Sequence, residues 1–452
     1  MPAVTFTQAL NARPVRPYQW IIAAVCMLVL VADGVDLQLL GIVAPLVMKD
    51  FGIDRALFGW AMSAALVGFG LGSWGGGVLG DRIGRRWTLA IAAVVFSLAT
   101  VGAGTAEDVW QMAGWRLVGG LGFGGAYSNA LALASEWLPD RWRPVVVSTL
   151  SVGTPIGGTV VGWVGPQLAA EHGWDGAFIR IGLVTILLVL VILAVLRDSP
   201  SFLLARGRTA EAQKQAARVL GADAPELLAD HHDETGEGAA AQVGVLHRSN
   251  LRLNIGIGVA FAAAALVAYG ILNWSTTMLT AKGFSLAAAG NAVAVAGITS
   301  MIGSILAGML VRQFGSRRVM ASFSAILVVL LVWLAVEVEN LPAVPDAGDQ
   351  LLVTSLIGAA GGFFSASIAG MYVMMALGYP QSCRSAGIGF GIFMSRLGAV
   401  AASGLGGALL QAGGDSTVPF FAVLTVAAVL ISAAALVVDR HVPPARKAVT
   451  AG

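Results

Sequence analysis

Polar residues are sparse along this chain, and the apolar ones come in long blocks. Stretches of roughly 20 residues or more with few charges recur from end to end, each long enough to cross a bilayer as a helix. Twelve are found, at about 18–48, 56–80, 87–106, 110–138, 144–170, 177–197, 251–280, 286–311, 317–337, 350–378, 384–411 and 417–438. The pattern predicts an all-α polytopic membrane protein with twelve transmembrane helices. Between Arg197 and Arg252 it breaks. RDSPSFLLARGRTAEAQKQAARVLGADAPELLADHHDETGEGAAA is polar, charged and partly helical in periodicity, and it divides the spans six and six. The expected order is an N-terminal arm (1–17), a six-helix bundle (18–197), a cytoplasmic linker (198–250), a second six-helix bundle (251–438) and a tail (439–452).

Even halves invite a search for a repeat. A shift of 231 residues lays Gly59 on Gly290, Gly72-Ser73 on Gly303-Ser304, Gly77 on Gly308, Gly84 on Gly315 and Arg86 on Arg317. Six helices per half give both halves one orientation, so the two bundles are expected to be related by a pseudo-two-fold axis along the membrane normal. GFGLGSWGGGVLG and GGLGFGG place small residues at helical spacing, which lets helix backbones approach closely. Gly120-x-Gly122-x-x-Gly125 formally matches a dinucleotide fingerprint, but no strand precedes it and it lies inside an apolar span.

Composition agrees with this picture. Of 452 residues, 57% are hydrophobic and 12% charged, about half the charged fraction of an average globular domain. A net charge of +2 argues for no nucleic-acid partner. The placement of the charges says more. Of the 27 Lys and Arg residues, 21 fall on one set of alternate loops and termini, whereas Lys49, Arg55, Arg180 and Lys282 fall on the other and Arg116 and Arg396 lie inside spans. Both termini are therefore expected in the cytoplasm, with the chain multi-pass in the inner membrane. Arg13 and Arg16 precede the first span as they would a signal peptide, but the span is too long and lacks a small-residue cleavage pattern. Cys26 and Cys383 belong to separate spans, which argues against a disulfide framework.

Two carboxylates, Asp33 and Asp36, interrupt the first span in VLVADGVDLQLLGIVAP. Fifteen residues at about 1.5 Å each put Asp33 roughly 22 Å from Tyr18, near mid-membrane, and a spacing of three sets both acids on one face. An ionised acid there costs about 2.5–3.5 kcal/mol, and two close carboxylates oppose each other's ionisation, so one tends to hold a proton. In a transport pathway such a pair is a coupling device; the alternative is a cap on a helix break at Gly34.

The loop after the second span reads GVLGDRIGRRW: Gly77, Asp81, Arg82, Gly84, Arg85 and Arg86. This resembles the signature of the major facilitator superfamily, in which the loop acts as a cytoplasmic conformational latch. The second-half echo, GMLVRQFGSRR, has Arg312 where the acid would stand. DGVDLQLLGIVAP resembles the first-helix motif of one branch, the aromatic acid:proton symporters. RLVGGLGFGGAYSNALALASEWLPDRWRP is similar to that branch's fourth helix and places Arg116 and Glu136. GILNWSTTML carries Asn273-Trp274, with Thr276 where the family usually has proline, and YPQSCRSAG with SRLGAV places Arg384 and Arg396. The resemblance covers nearly the whole chain outside linker and tails.

It implies a secondary active transporter, not an enzyme, that imports a benzoate- or hydroxybenzoate-type carboxylate by proton symport with alternating access. The proton is the coupling ion and no cofactor is expected. Asp33 and Asp36 would serve coupling, with the carrier of the proton left open. Arg116 or Arg396 would meet the carboxylate, the arginine fork matching it bidentately. Arg116 has two other readings, a shallow salt bridge closing the outer gate or a partner of Asp33 or Asp36, and Arg396 has one, an ion-pair partner of an aspartate in the other half. Asn273, Trp274, Tyr127 and Asn129 would supply ring and hydroxyl contacts. Glu136 and Arg384 join the latch residues in gating. A monomer, lipid, H+ and a small aromatic acid complete the expected partners. The competing readings are a superfamily transporter of another organic anion, such as muconate or a dicarboxylate, a drug or sugar facilitator, and a membrane enzyme or sensor. No GxxxxGK[ST] loop supports ATP-driven transport. His172, His231, His232, His247 and His441 all fall in loops or tails without metal spacing.

Overall fold

The computed structural model describes residues 4–221, 225–228, 245, 247–379, 383–438 and 440–441, except for the side chains of 144, 148, 376, 377 and 384–386. The expectation for Arg384 therefore lies outside the described residues, as do His231 and His232.

The chain is a succession of helices. Short α1 (Phe6–Asn11) precedes α2 (Pro17–Phe51), α3 (Arg55–Ile83), α4 (Arg85–Gly104) and α5 (Val109–Glu136). A short two-turn helix, α6 (Arg143–Leu150), leads into α7 (Gly153–Val195). Two helices, α8 (Pro200–Ala205) and α9 (Thr209–Leu220), lie in the linker. Then come α10 (Leu251–Ala281), α11 (Leu286–Phe314), α12 (Ser316–Glu339), α13 (Ala347–Gly378), α14 (Arg384–Gly413) and α15 (Val418–Val437). The two short strands, β1 (Val4–Thr5) and β2 (Leu227–Leu228), pair in parallel.

The termini show why these segments start where they do. The first N–H groups of a helix have no internal acceptor, so side chains supply one. Asp108 accepts from the backbone of Trp110 and Gln111 at 2.7 and 2.8 Å, Ser285 accepts from Ala288, and Asp346 and Asp349 cap α13 reciprocally. Between caps the sequence is apolar all round, as a helix in lipid must be. Leu183, Leu187 and Leu190, on one face of α7, are more than half exposed, a face that suits acyl chains and not water.

Among the described residues eleven helices are long and apolar enough to cross a membrane. The spans expected at 144–170 and 177–197 take a different form. The first opens as α6, turns at Ser151-Val152 and then joins the second in α7, 43 residues long. At 1.5 Å per residue α7 has about 65 Å of contour, twice a hydrocarbon core. Its interruption is Gly173, at φ 75°, ψ 168°, a conformation open to glycine and strained for other residues. One glycine replaces the loop that the charges at Glu171 and Asp175 suggest.

By backbone contacts the chain forms two compact units. The first comprises Met1–Asp36, Val67–Gly157 and Asp175–Ala239; the second comprises Leu37–Leu66, Gly158–Trp174 and Ala240–Gly452. In the first, α4 packs along α5, and the N-terminal arm and linker helices cover Trp137. The rings of Phe6 and Tyr18 meet Trp137 edge-on at 5.9 and 5.5 Å, and its indole donates to the Arg197 carbonyl at 3.2 Å. In the second, α11 packs on α13, and α10 packs on α14 and α15.

Candidate functional site

Ionisable side chains inside the spans are few, and their surroundings differ. In the first unit Asp33 and Asp36 are buried on one face of α2. Arg116 of α5 donates from Nη1 to Asp36 Oδ2 at 2.5 Å and from Nη2 to the Asp36 carbonyl at 3.3 Å. The Thr100 hydroxyl on α4 donates to Asp36 Oδ1 at 2.7 Å. Both charged side chains are 4% exposed, and the guanidinium lies 6.0 Å from the Phe178 ring centre. Two ions taken this far from water hold together only because close geometry and added hydrogen bonds offset the loss of hydration. Arg116 Nε is left without a hydrogen-bond partner.

Asp33 accepts the Thr154 hydroxyl of α7 at 3.2 Å. Gly34 permits that contact, because no Cβ fits there beside the Thr154 carbonyl. Two carboxylates three residues apart, with one of them tied to a guanidinium, form a cluster whose total charge one proton changes.

In the second unit Arg396 of α14 is half-buried and donates from Nη1 to the Tyr269 hydroxyl on α10 at 3.1 Å. Tyr372 of α13 stands near both, with Phe261 edge-on to its ring at 5.1 Å. A fixed cation framed by tyrosines is a place where an anion bearing a flat ring can be held. Asn273, one turn along α10 from Tyr269, donates to Ser403 Oγ at 2.9 Å. Trp274 is fully buried, donates to the Ser403 carbonyl at 3.2 Å and meets Phe58 edge-on at 6.5 Å. Its indole is a packed knob between helices, so a stacking role requires these contacts to open.

Tyr127 and Asn129 lie in the first unit. Tyr127 is half-buried with Phe69 5.6 Å away. Asn129 is fully buried and donates to the carbonyls of Gly76 and Gly125, both at 2.8 Å, which ties α5 to α3.

The loop from Gly77 to Arg86 is a knot of charges. Arg85 donates to Asp81 at 2.5 Å, to Glu136 at 3.2 Å and to the Gly77 carbonyl at 3.3 Å. Arg86 donates to the Leu193 carbonyl at 2.7 Å, and its backbone N–H goes to Asp198 at 3.1 Å. Arg206 of the linker closes over the Asp81 and Arg82 carbonyls. Gly84, at φ 101°, heads α4, and a Cβ there would stand 2.5 Å from the Asp198 carboxylate. Burial pushes the Asp198 carboxyl above its usual range, against the pull of the Arg86 N–H.

Thr100, Thr154, Tyr269, Tyr372, Ser403 and Asp198 all matter to this geometry and were not singled out from the sequence. The first five are neutral residues in apolar spans, so only their helix neighbours reveal them. Asp198 had a signal, an acid in the RDSP step directly after a span. Among the described residues no cluster of His, Cys, Asp and Glu suits a metal ion.

Comparison with known proteins agrees with this architecture. The chain is 27% identical over 407 residues to the 4-hydroxybenzoate transporter PcaK of Pseudomonas aeruginosa, with 89% of each chain covered. It is 29% identical over 406 residues to the gallate transporter of Pseudomonas putida, covering 89% of this chain and 88% of the other. A solved D-xylose-proton symporter has the same fold, with a TM-score of 0.70 over 94% of this chain and 98% of that one at 18% identity. The Major Facilitator Superfamily model matches residues 26–344 and 255–451, and the chain is a transporter belonging to that superfamily.

Proposed function

We propose that the protein imports an aromatic carboxylate by proton symport. The observation that carries this is the buried Arg116–Asp36 ion pair with Asp33 three residues away. Arg116 balances one acid, and a proton on the pair balances the other. Proton binding thus changes the charge of a dry cluster by a full unit, the kind of event that biases a two-state helix arrangement. The aromatic-acid relatives and the Arg396–Tyr269–Tyr372 group support the substrate class.

Substrate entry pairs a monoanion with a proton. At one-to-one stoichiometry the about 2.3 kcal/mol per 100 mV gained by the proton is cancelled by the anion, so accumulation follows the pH difference.

In this reading α7 supplies two crossings, hinged at Gly173, and the spans number twelve. Gly84 and Gly315, aligned by the repeat, both have positive φ with ψ near 150°, which supports two bundles with a common plan. With the termini cytoplasmic, the loop from Gly77 to Arg86, Glu136 and Arg206 guards the inner side. The segments Leu37–Leu66 and Gly158–Trp174 then line the outer side, where Gly59 and Gly407 bring α3 against α14. Alternating access requires these contacts to break in turn.

The test is uptake of ring-labelled benzoates by proteoliposomes with and without an inward proton gradient. Accumulation only with the gradient supports the reading. Equal uptake in both conditions, or none for any aromatic acid, overturns it.

A further inference from the structure

We propose that the turn between α11 and α12 is a lipid site, where Arg312, Arg317 and Arg318 hold the phosphate headgroup of an anionic phospholipid. The site is independent of which anion the protein carries.

The repeat sets this turn against the charged loop of the first half, and the two differ in how their arginines are answered. In the first loop Arg85 donates to Asp81 and Glu136, and Arg86 donates to the Leu193 carbonyl with its backbone N–H on Asp198. A shift of 231 residues lays Arg312 on Asp81, Ser316 on Arg85, Arg317 on Arg86 and Arg318 on Trp87. The second copy therefore exchanges an acid for a base and adds another where the first has an indole. All three of its arginines are exposed, and none makes an ion pair or hydrogen bond with the described residues.

The backbone gathers them. Gly315, at φ 84°, turns the chain between the helices; its N–H donates to the Val311 carbonyl at 2.9 Å, and the Val319 N–H returns to the Gly315 carbonyl at 3.4 Å. Arg312 thus stands in the last turn of α11, and Arg317 and Arg318 in the first turn of α12, which contains no acid. A helix N-terminus carries partial positive charge of its own, so cations placed there lack the anion that this end of a helix favours.

The surroundings decide for a lipid over a soluble anion. Arg312 shares a face of α11 with Ile305 and Met309, at steps of four and three, and both are more than half exposed. From Arg318 the same face of α12 runs through Ser322 and Ala325 to Val329, all exposed, with Val329 at 63%. Both helices belong to the second unit, and both present an exposed, largely apolar stripe that ends in arginine at one shared turn. Acyl chains cover such stripes, and the guanidinium forks match phosphate oxygens bidentately at the membrane surface. A free phosphate would use the arginines and leave the stripes without a role.

The experiment uses the full chain, stripped of lipid in detergent micelles, and follows displacement of a tail-labelled phosphatidylglycerol. The competitors are unlabelled phosphatidylglycerol, phosphatidylcholine with the same acyl chains, and inorganic phosphate. Phosphatidylglycerol is expected to compete at least tenfold more tightly than phosphatidylcholine, and millimolar inorganic phosphate not to displace the label. Arg312→Gln with Arg318→Gln is expected to weaken phosphatidylglycerol at least tenfold, at about fivefold per arginine, and to leave phosphatidylcholine unmoved. Arg318→Gln alone, expected to lose about fivefold, replaces the double variant if that one does not fold. Arg248→Gln with Arg252→Gln removes two other exposed arginines and is expected to change nothing. Equal competition by the two lipids overturns the proposal, as does binding unmoved by the Arg312 and Arg318 substitutions. Full displacement by inorganic phosphate assigns the arginines to a soluble anion and overturns the lipid. An equal loss in the Arg248 and Arg252 variant also overturns it, since a diffuse basic surface would give that result.

Discussion

Arg116 and Asp36 form a dry ion pair, Nη1 to Oδ2 at 2.5 Å, with each side chain 4% exposed. Removing one partner strands the other charge. Asp36→Asn is therefore expected to destabilise the protein by about 3–5 kcal/mol, and Asp36→Asn with Arg116→Leu to recover most of that loss. Thermal unfolding of detergent-purified variants measures both. Equal destabilisation by the single and double variants would show that the charge pair is not the cause.

Asp33 tests the coupling. Asp33→Asn keeps an acceptor for the Thr154 hydroxyl but cannot take up and release a proton. Accumulation driven by a pH gradient is expected to fall to equilibration, with substrate counterflow retained. Uphill uptake by the variant would remove Asp33 from the coupling step.

Arg396 tests substrate binding. Lysine keeps the charge and loses the planar fork, so Arg396→Lys is expected to raise the KM for an aromatic acid at least tenfold. Tyr269→Phe removes one neutral-to-charged hydrogen bond and is expected to cost about 1.5–3 kcal/mol, roughly ten- to hundredfold. The two KM values, taken from initial uptake rates, decide it.

Much of this was legible beforehand, for reasons that also mark the limit. The spans could be read because lipid demands apolar residues all round a helix, and the charged loop because its arginines and glycines sit between two such spans. Asp33, Asp36, Arg116 and Arg396 stood out because a charge in an apolar run is rare. What periodicity does not encode is which helix faces which. Arg116 meets Asp36 through α2–α5 proximity, and the Thr100 and Tyr269 hydroxyls gain their roles from the helices beside them. The fusion of two expected spans into α7 likewise turns on the backbone angle of one glycine, Gly173.

Gly407 tests the contact proposed above for the outer side. No Cβ fits there beside the Arg55 carbonyl, so Gly407→Leu is expected to wedge α14 from α3. Uptake should drop more than tenfold, and a cysteine placed at the buried Ser63 should become reactive to an impermeant maleimide added from outside. A wedge variant with normal uptake would place the outer gate elsewhere.

Asp198 gives a pH signature. Its carboxyl titrates higher in the folded chain than in the unfolded one, so between those two values the folded state binds the extra proton. Stability therefore falls as pH rises through that window and is greatest below it. Asp198→Asn should flatten that slope while still accepting the Arg86 N–H. Unfolding midpoints measured from pH 4 to 7 check the sign.

The pairing of Val4 with Leu227 and of Thr5 with Leu228 has a consequence for biogenesis. Its two strands are separated by more than two hundred residues of intervening chain, so β1 must wait at the ribosome until β2 emerges. The arm can complete the first unit only after α2 to α7 have been made. A bulky fusion placed directly ahead of Val4 would then slow maturation more than turnover, since it obstructs the last piece to dock and not the moving parts.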